Sequence, residues 1–136
     1  MKTRQGDQLA MAGQRLNVEV EGGALSVWHF PKPEAPRLIF SHANGFNAST
    51  YRQFLAPLNA HFEIIAPDTR GHGLSQFPLP STRLPDWHVF ARDLVAVSAA
   101  FEPRTTVFAG HSMGSVCGLL AAGLHGLDVA GMAMIE

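Results

Sequence analysis

The sequence lacks several features that would point to particular classes of protein. It has a single cysteine, Cys117, so no internal disulfide can form and nothing indicates an oxidising compartment. Ten basic and eleven acidic residues give a formal net charge of −1, and no block of like charge could follow a phosphate backbone or an anionic membrane. These absences argue against nucleic-acid binding and favour a reduced, cytoplasmic setting.

Long apolar runs are also missing. No stretch approaches the roughly 18 to 20 apolar residues that cross a bilayer. The N-terminal segment "MKTRQGDQLAMAGQRLN" begins with positive charge, but its apolar piece "LAMAG" is too short for a signal-peptide core. We therefore expect neither export nor a membrane anchor. The histidines form no H-x-x-x-H or H-E-x-x-H pair and the glycines no P-loop or G-x-G-x-x-G, so no metal and no other cofactor is predicted.

The composition does predict one folded domain, since 46% of the residues are hydrophobic and 15% are charged. Short apolar runs predict strands at 16–20, 24–30, 37–43, 62–68, 105–112 and 129–136. The last four are apolar on both faces, which indicates a parallel sheet covered by helices. Helices are predicted at 49–60, where Pro57 should bend or end the helix, at 85–101, and at 113–126, a Gly- and Ala-rich segment expected to be buried on most sides. The predicted fold class is α/β, a mostly parallel sheet with an N-terminal β-hairpin and helices on both faces.

One short stretch, "FAGHSMGSV" (108–116), carries chemistry. Gly110, Ser112 and Gly114 match G-x-S-x-G, and the pattern lies between a predicted strand and a predicted helix. The letters alone are a weak signal, but the strand–turn–helix context makes them specific. A side chain at either glycine would collide with the adjoining elements, and the turn would hold Ser112 in a strained backbone conformation. The Met113 amide, at the helix N-terminus, would then point at a developing oxyanion.

Two further motifs accompany this turn in a fixed order. "SHANGFNASTY" (41–51) follows the third strand and "DTRGHGLS" (68–75) follows the fourth. With these three motifs the chain resembles the N-terminal half of an α/β-hydrolase-fold enzyme over residues 16–136, with residues 1–15 as an N-terminal extension. The resemblance implies a serine hydrolase that acts by acyl transfer through Ser112 on a small-molecule substrate with an ester, thioester, lactone or amide bond.

The resemblance leaves the second oxyanion donor open. The family's loop begins with a His-Gly type sequence, but here Ala43 stands where glycine is usual and Gly45 comes two residues later. Aligning "FNASTY" with the family's loop favours the Phe46 amide, whereas counting from His42 favours the Asn44 amide. Phe46 is slightly preferred, with Asn44 as the alternative.

For the polar residues around these motifs, the simpler expectation is a structural role. For Asp68, Arg70 and His72 we expect a turn whose polar groups bond to the backbone. His42 and His111 are expected to shape their loops and not to transfer protons. For Ser112, the alternative to a catalytic role is that of a serine in the tight turn of a non-catalytic domain.

The residues that would activate Ser112 are missing from the sequence that follows it. The resemblance implies the order Ser, acid, His, but His125 is the one histidine after Ser112, and both following acids, Asp128 and Glu136, come after it. We therefore expect a truncated or split chain that is inactive alone and that works with a C-terminal half, which could be separately encoded. The alternative is a non-catalytic binding or interaction module that retains the half-fold.

Overall fold

The structure is a computed structural model that describes residues 13–77 and 86–136. Its strands are β1 (Gln14–Val20), β2 (Gly23–Phe30), β3 (Arg37–Ser41), β4 (Glu63–Pro67), β5 (Thr106–His111) and β6 (Gly131–Ile135). They form one sheet in the order β1-β2-β4-β3-β5-β6. β1 and β2 make an antiparallel hairpin, β2 is antiparallel to β4, and β4, β3, β5 and β6 run parallel. The predicted mostly parallel sheet with an N-terminal hairpin is confirmed.

Helices cover both faces of this sheet, also as predicted. They are α1 (Arg52–Leu58), α2 (His88–Ala99) and α3 (Met113–Leu124). A 3-10 turn, Ala48–Tyr51, leads into α1, and together they cover one face, where Leu55 packs with Phe30 and Phe40. α2 and α3 cover the other face, where Leu94 and Cys117 pack in a cluster with Ile39 and Phe108.

The central strands explain why the chain needs two layers of helices. Every residue of β3 and β4 is buried. Ile64 and Ile65 are adjacent in β4, and because side chains alternate along a strand they contribute to opposite layers of the core. The expectation that each parallel strand is buried on both faces fails at β6, where Met134 and Ile135 are 51% and 40% exposed.

Most other differences from the sequence expectations concern helix ends. The predicted helix at 49–60 is a 3-10 turn followed by a short α1, and the side chain of Asn47 caps that turn by accepting from the Thr50 N–H at 3.2 Å. α1 ends at Leu58, one residue after Pro57, so the predicted early end is confirmed. The start of the helix predicted at 85–101 lies partly outside the described residues, as does most of the predicted extension at 1–15. β1 begins at Gln14, two residues before the predicted strand.

Candidate active site

Ser112 lies in the turn between β5 and α3. Its backbone has φ 54° and ψ −115°, a conformation that a residue with a side chain rarely adopts and that costs about 1–3 kcal/mol. The residue is exposed, and its side chain makes no hydrogen bond within the described residues. Its N–H donates to Ile135 O at 2.7 Å, which continues the pairing of β5 with β6. The unusual backbone of Ser112 is the one expected from the sequence.

The two glycines beside Ser112 allow close contacts between backbones. A Cβ on Gly110 would lie 2.6 Å from Gly114 C, and a Cβ on Gly114 would lie 2.8 Å from His42 O and closer still to Ser41 O. Ser115 strengthens the same turn, because its hydroxyl donates to Gly110 O at 2.5 Å. The start of α3 is therefore packed directly against the end of β3 and the loop that follows it.

The amide of Met113 is the first of the candidate oxyanion donors. Met113 begins α3, and the N–H groups of a first helical turn have no acceptor inside the helix. These N–H groups carry the positive end of the helix dipole, which favours a negative charge beside them. The amide thus has the chemistry of an oxyanion donor next to Ser112.

The two candidates for the second donor differ in their hydrogen bonding. The Phe46 N–H donates to Ala43 O at 3.1 Å within a turn. The Asn44 N–H has no acceptor among residues 13–77 and 86–136. Because a donor already engaged in a turn is a poorer oxyanion donor than one with no acceptor, this geometry favours Asn44 over Phe46, against the slight preference drawn from the sequence.

His42 has a structural role, as expected. The ring is fully buried, its Nδ1 lies 2.7 Å from Ala43 O, and its Nε2 accepts from the Thr69 N–H at 2.8 Å. Accepting at Nε2 places the proton on Nδ1, which donates to Ala43 O. Burial lowers the pKa of His42, in agreement with a neutral ring. Both nitrogens are occupied, so His42 ties the loop after β3 to the loop after β4.

His111, directly before Ser112, contacts the hydroxyl of Tyr51. Tyr51 Oη lies 2.8 Å from His111 Nδ1 and also accepts from the Ala43 N–H at 3.0 Å. The sequence has no pattern that would reveal this contact, since Tyr51 is 8 residues from Ala43 and 60 residues from His111 along the chain. The hydroxyl links the loop after β3 to the turn that holds Ser112.

The loop after β4 also has the structural role expected for it. Asp68 is fully buried and accepts from the Ala48 N–H at 2.8 Å, from the Leu74 N–H at 2.9 Å and from Arg15 at 3.0 Å. His72 Nε2 lies 3.2 Å from Asn44 Oδ1, beside the candidate oxyanion donor. The loop after β4 is therefore hydrogen-bonded to the loop after β3, which contains Asn44.

Arg70, in the same loop, forms a buried ion pair with Asp93 of α2. Its Nε and Nη2 donate to the two carboxylate oxygens at 3.0 and 2.8 Å, and Nη2 also donates to Glu21 O at 2.7 Å. Burial raises the pKa of Asp93, and the Arg70 guanidinium opposes that rise.

No base for Ser112 is found among the residues that follow it in the described chain. His125 caps the far end of α3, and its Nε2 lies 2.7 Å from His88 Nδ1. Cys117 is buried in the core, where burial raises the pKa of its thiol to about 12, so it is not a reactive thiolate. Within the described residues, no group of three or more His, Cys, Asp or Glu side chains is arranged to hold a metal ion.

A cavity of about 350 Å³ adjoins Ser112. Its walls are mostly apolar, and the lining residues are Trp87, Ser112, Met113, Ser115, Val116, Met134, Ile135 and Glu136. An apolar cavity with a few polar groups is typical of a site for a small molecule.

No helix among residues 13–77 and 86–136 combines the length and the hydrophobicity needed to cross a membrane.

Comparison with known proteins gives one matching family model and relatives that are hydrolases and lactonases. The family model described as alpha/beta hydrolase fold matches residues 36–136. The chain is 33% identical over 95 residues to 3-oxoadipate enol-lactonase 2 of Acinetobacter baylyi, covering 70% of this chain and 34% of that protein. It is 32% identical over 120 residues to epoxide hydrolase A of Mycobacterium tuberculosis, covering 88% of this chain and 37% of that protein.

Solved structures agree with these relatives. The crystal structure of epoxide hydrolase A from Mycobacterium thermoresistibile superposes with a TM-score of 0.77 at 26% identity, covering 90% of this chain and 38% of that one. A membrane phospholipase A, a bacterial virulence factor, superposes with a TM-score of 0.82 at 25% identity, covering 95% of this chain and 41% of that one. The chain spans little more than a third of the length of the curated relatives it matches.

Proposed function

Because the chain belongs to the alpha/beta hydrolase fold family, we propose that it carries the nucleophile of a serine hydrolase, Ser112. The observation that supports this most is the backbone of Ser112, strained at φ 54° and exposed at the N-terminus of α3. Strain of this kind is retained where the surrounding structure enforces it, and here the close packing at Gly110 and Gly114 does so.

The proposed reaction is acyl transfer. Ser112 Oγ attacks the carbonyl carbon of an ester, thioester, lactone or amide while a base removes the hydroxyl proton. The carbonyl oxygen becomes an oxyanion that accepts hydrogen bonds from the amides of Met113 and Asn44. The leaving group departs with a proton, and water then hydrolyses the acyl-enzyme to release the acid and restore Ser112.

We assign the base and its acid partner to residues outside these 136. After Ser112 the chain offers His125, Asp128 and Glu136, in an order opposite to the acid-then-histidine order of the family. His125 is engaged with His88. The missing pair would come from a longer form of the protein or from a separately encoded C-terminal half, a proposal supported by the small share of its relatives' length that the chain spans.

The test compares Ser112→Ala with the unchanged sequence, both in the 136-residue chain and in the product of the complete reading frame. We expect the 136-residue chain to hydrolyse p-nitrophenyl acetate no faster than its Ser112→Ala variant, because without a base the hydroxyl stays protonated. In a protein that supplies the base, Ser112→Ala should lower kcat by at least about 10³-fold. Ser98→Ala in α2, a serine whose side chain has no hydrogen bond in the described residues, is the matched control and should have no effect.

Two outcomes would count against this proposal. Turnover by the complete protein that survives Ser112→Ala would remove Ser112 as the nucleophile. A complete reading frame that ends at Glu136 and yields a stable, soluble protein without hydrolase activity would favour a non-catalytic binding module.

A further inference from the structure

The Tyr51 hydroxyl joins two parts of the candidate site that are far apart in sequence. It lies 3.0 Å from the Ala43 N and 2.8 Å from His111 Nδ1. Ala43 precedes the candidate donor Asn44, and His111 precedes Ser112. The ring of Tyr51 packs against Phe40, with the ring centroids 4.6 Å apart, and makes a T-shaped contact with His111, with the centroids 5.8 Å apart.

The direction of these hydrogen bonds follows from the groups involved. A backbone N–H can only donate, so the Tyr51 oxygen accepts from Ala43. Among the described residues the hydroxyl proton has one acceptor within reach, His111 Nδ1, so the arrangement that satisfies both groups has Tyr51 donating to an unprotonated Nδ1. In that arrangement the ring proton of His111 lies on Nε2. Burial raises the pKa of Tyr51, so the phenol keeps the proton that this arrangement needs.

These bonds fix two successive peptide groups. The peptide between His42 and Ala43 is held by Tyr51 through its N–H. The next peptide is held through Ala43 O, which accepts from the Phe46 N–H at 3.1 Å and from His42 Nδ1 at 2.7 Å. In a trans peptide the N–H points opposite to the C=O, so the bonds to Ala43 O set the direction of the Asn44 N–H, and Tyr51 restrains the peptide directly before it.

We infer that Tyr51 is a positioning residue for the oxyanion hole: its hydroxyl, bridging Ala43 and His111, holds the Asn44 N–H in a fixed orientation relative to Ser112. This inference rests on the proposed function of Ser112. A donor stabilises an oxyanion because it is already oriented before the reaction, and removing one such donor lowers kcat by roughly 10²–10³-fold. Releasing the donor without removing it should have a smaller effect, a fall in kcat of roughly tenfold with KM changed less than twofold.

The experiment uses Tyr51→Phe, which removes the hydroxyl and keeps the ring against Phe40. Thr50→Val is the matched control, because it removes a hydroxyl from the same 3-10 turn. The Thr50 hydroxyl donates to Asn47 Oδ1 and contacts neither Ala43 nor His111. In the 136-residue chain, nitrogen NMR should show His111 Nδ1 as an unprotonated, hydrogen-bonded acceptor. This signal and the Ala43 and Asn44 amide signals should shift in Tyr51→Phe and stay unchanged in Thr50→Val.

A second measurement covers the case in which Tyr51→Phe fails to fold. Tyr51 is the single tyrosine of the chain, so growth on 3-fluorotyrosine changes the acidity of this phenol alone and keeps the hydroxyl. A more acidic phenol donates a stronger hydrogen bond, so the His111 Nδ1 signal should move. Unchanged His111 signals in both proteins would overturn the inference.

Kinetics of the complete protein separate this inference from the proposed function. A fall in kcat in Tyr51→Phe with unchanged KM, absent in Thr50→Val, supports the positioning role. Full kcat in Tyr51→Phe together with its loss in Ser112→Ala overturns the positioning role and leaves the proposed function standing. Activity that does not depend on Ser112 overturns the proposed function, and the positioning role with it.

Discussion

Gly114 is a residue of the candidate site at which the structure leaves no room for a side chain. The backbone of α3 approaches Ser41 and His42 so closely at this point that no Cβ fits between them. The atoms that a Cβ would meet belong to the backbone, and backbone cannot move aside as the end of a flexible side chain can. The packing that exposes Ser112 therefore depends on the absence of a side chain two residues later.

Gly114→Ala should consequently lower the free energy of unfolding by roughly 1–3 kcal/mol, the usual effect of forcing an extra methyl group into a packed region. Gly123→Ala is the matched control in the same helix. A Cβ at Gly123 meets nothing within 4 Å, so alanine should stabilise the helix by about 0.5–1 kcal/mol. Urea unfolding of both variants measures the difference. Equal stability of the two variants would contradict the close packing at Gly114.

The sequence is informative about single residues where a local pattern sets the geometry. G-x-S-x-G between an apolar run and a helix predicts the backbone of Ser112, because two glycines are needed whatever the rest of the protein does. The hydrogen bonds of Phe46 and Tyr51 depend on loops that fold against each other. No local pattern reveals such contacts, so the hydrogen bonds of Phe46 and Tyr51 cannot be predicted from the sequence.

At the scale of elements, the ion pair between Arg70 and Asp93 joins the loop after β4 to α2. Both side chains are almost fully buried, at 2% and 6% exposure. The geometry is bidentate, and Arg70 also donates to Glu21 O in the turn that follows β1. One side chain thus connects three elements of the fold.

Arg70→Met should lower the free energy of unfolding by about 3–5 kcal/mol, because it leaves Asp93 buried without a partner. The double variant Arg70→Met/Asp93→Leu should recover much of this loss, since it removes the unpaired charge. Glu102→Gln is the control, because its ion pair with Arg104 is exposed and should contribute less than about 1 kcal/mol. If the double variant is no more stable than Arg70→Met, the ion pair itself determines stability, and the cost of leaving Asp93 unpaired does not.

The effect of Arg70→Met on the free energy of unfolding should depend on pH. Burial raises the pKa of Asp93, and removing Arg70 removes the group that opposes the rise. A carboxyl whose folded pKa lies above its unfolded pKa binds a proton on folding, so its contribution to stability is greatest at low pH and is lost as the pH rises through the folded pKa. The loss of unfolding free energy caused by Arg70→Met should therefore become smaller as the pH is lowered.

The elements that the sequence predicts best are the central strands. β3, β4 and β5 are continuous apolar runs buried on both faces, and their ends lie within two residues of the predicted ones. The 3-10 turn before α1 was not predicted, because Ser49 and Thr50 are both good helix caps and the capping side chain is Asn47. The place of β3 between β4 and β5 is set by long-range pairing, which the strand pattern alone does not contain.

At the scale of the whole molecule, the two edges of the sheet differ. β1 forms one edge and exposes the charged residue Glu19. β6 forms the other edge among the described residues, and it exposes Met134 and Ile135. The adjoining helix α3 was expected to be buried on most sides, but Leu119 and Leu124 are 51% and 68% exposed. The second edge therefore exposes more apolar side chains than the first.

We expect the 136-residue chain on its own to self-associate through β6, because an exposed apolar edge strand is a template for pairing with other chains. Met134→Lys should weaken this association at least about tenfold, since a lysine on an edge opposes pairing. Glu19→Lys, which adds a lysine on the β1 edge, should leave it unchanged. Sedimentation velocity over a range of concentrations measures both, and a chain that is monomeric throughout would contradict this expectation.

The order of the strands in the sheet also determines when each strand can pair during synthesis. Strands leave the ribosome in chain order, but β3 must wait for β5 before its second edge is paired. The intervening residues 42–105 take roughly 3 to 13 seconds to translate at about 5–20 residues per second. During that interval the nascent chain presents an open edge of a strand whose residues are all buried in the folded protein, which is the kind of segment that chaperones bind. The turn that holds Ser112 can close only when this interval has ended, so the candidate site forms later than strands β1 to β4.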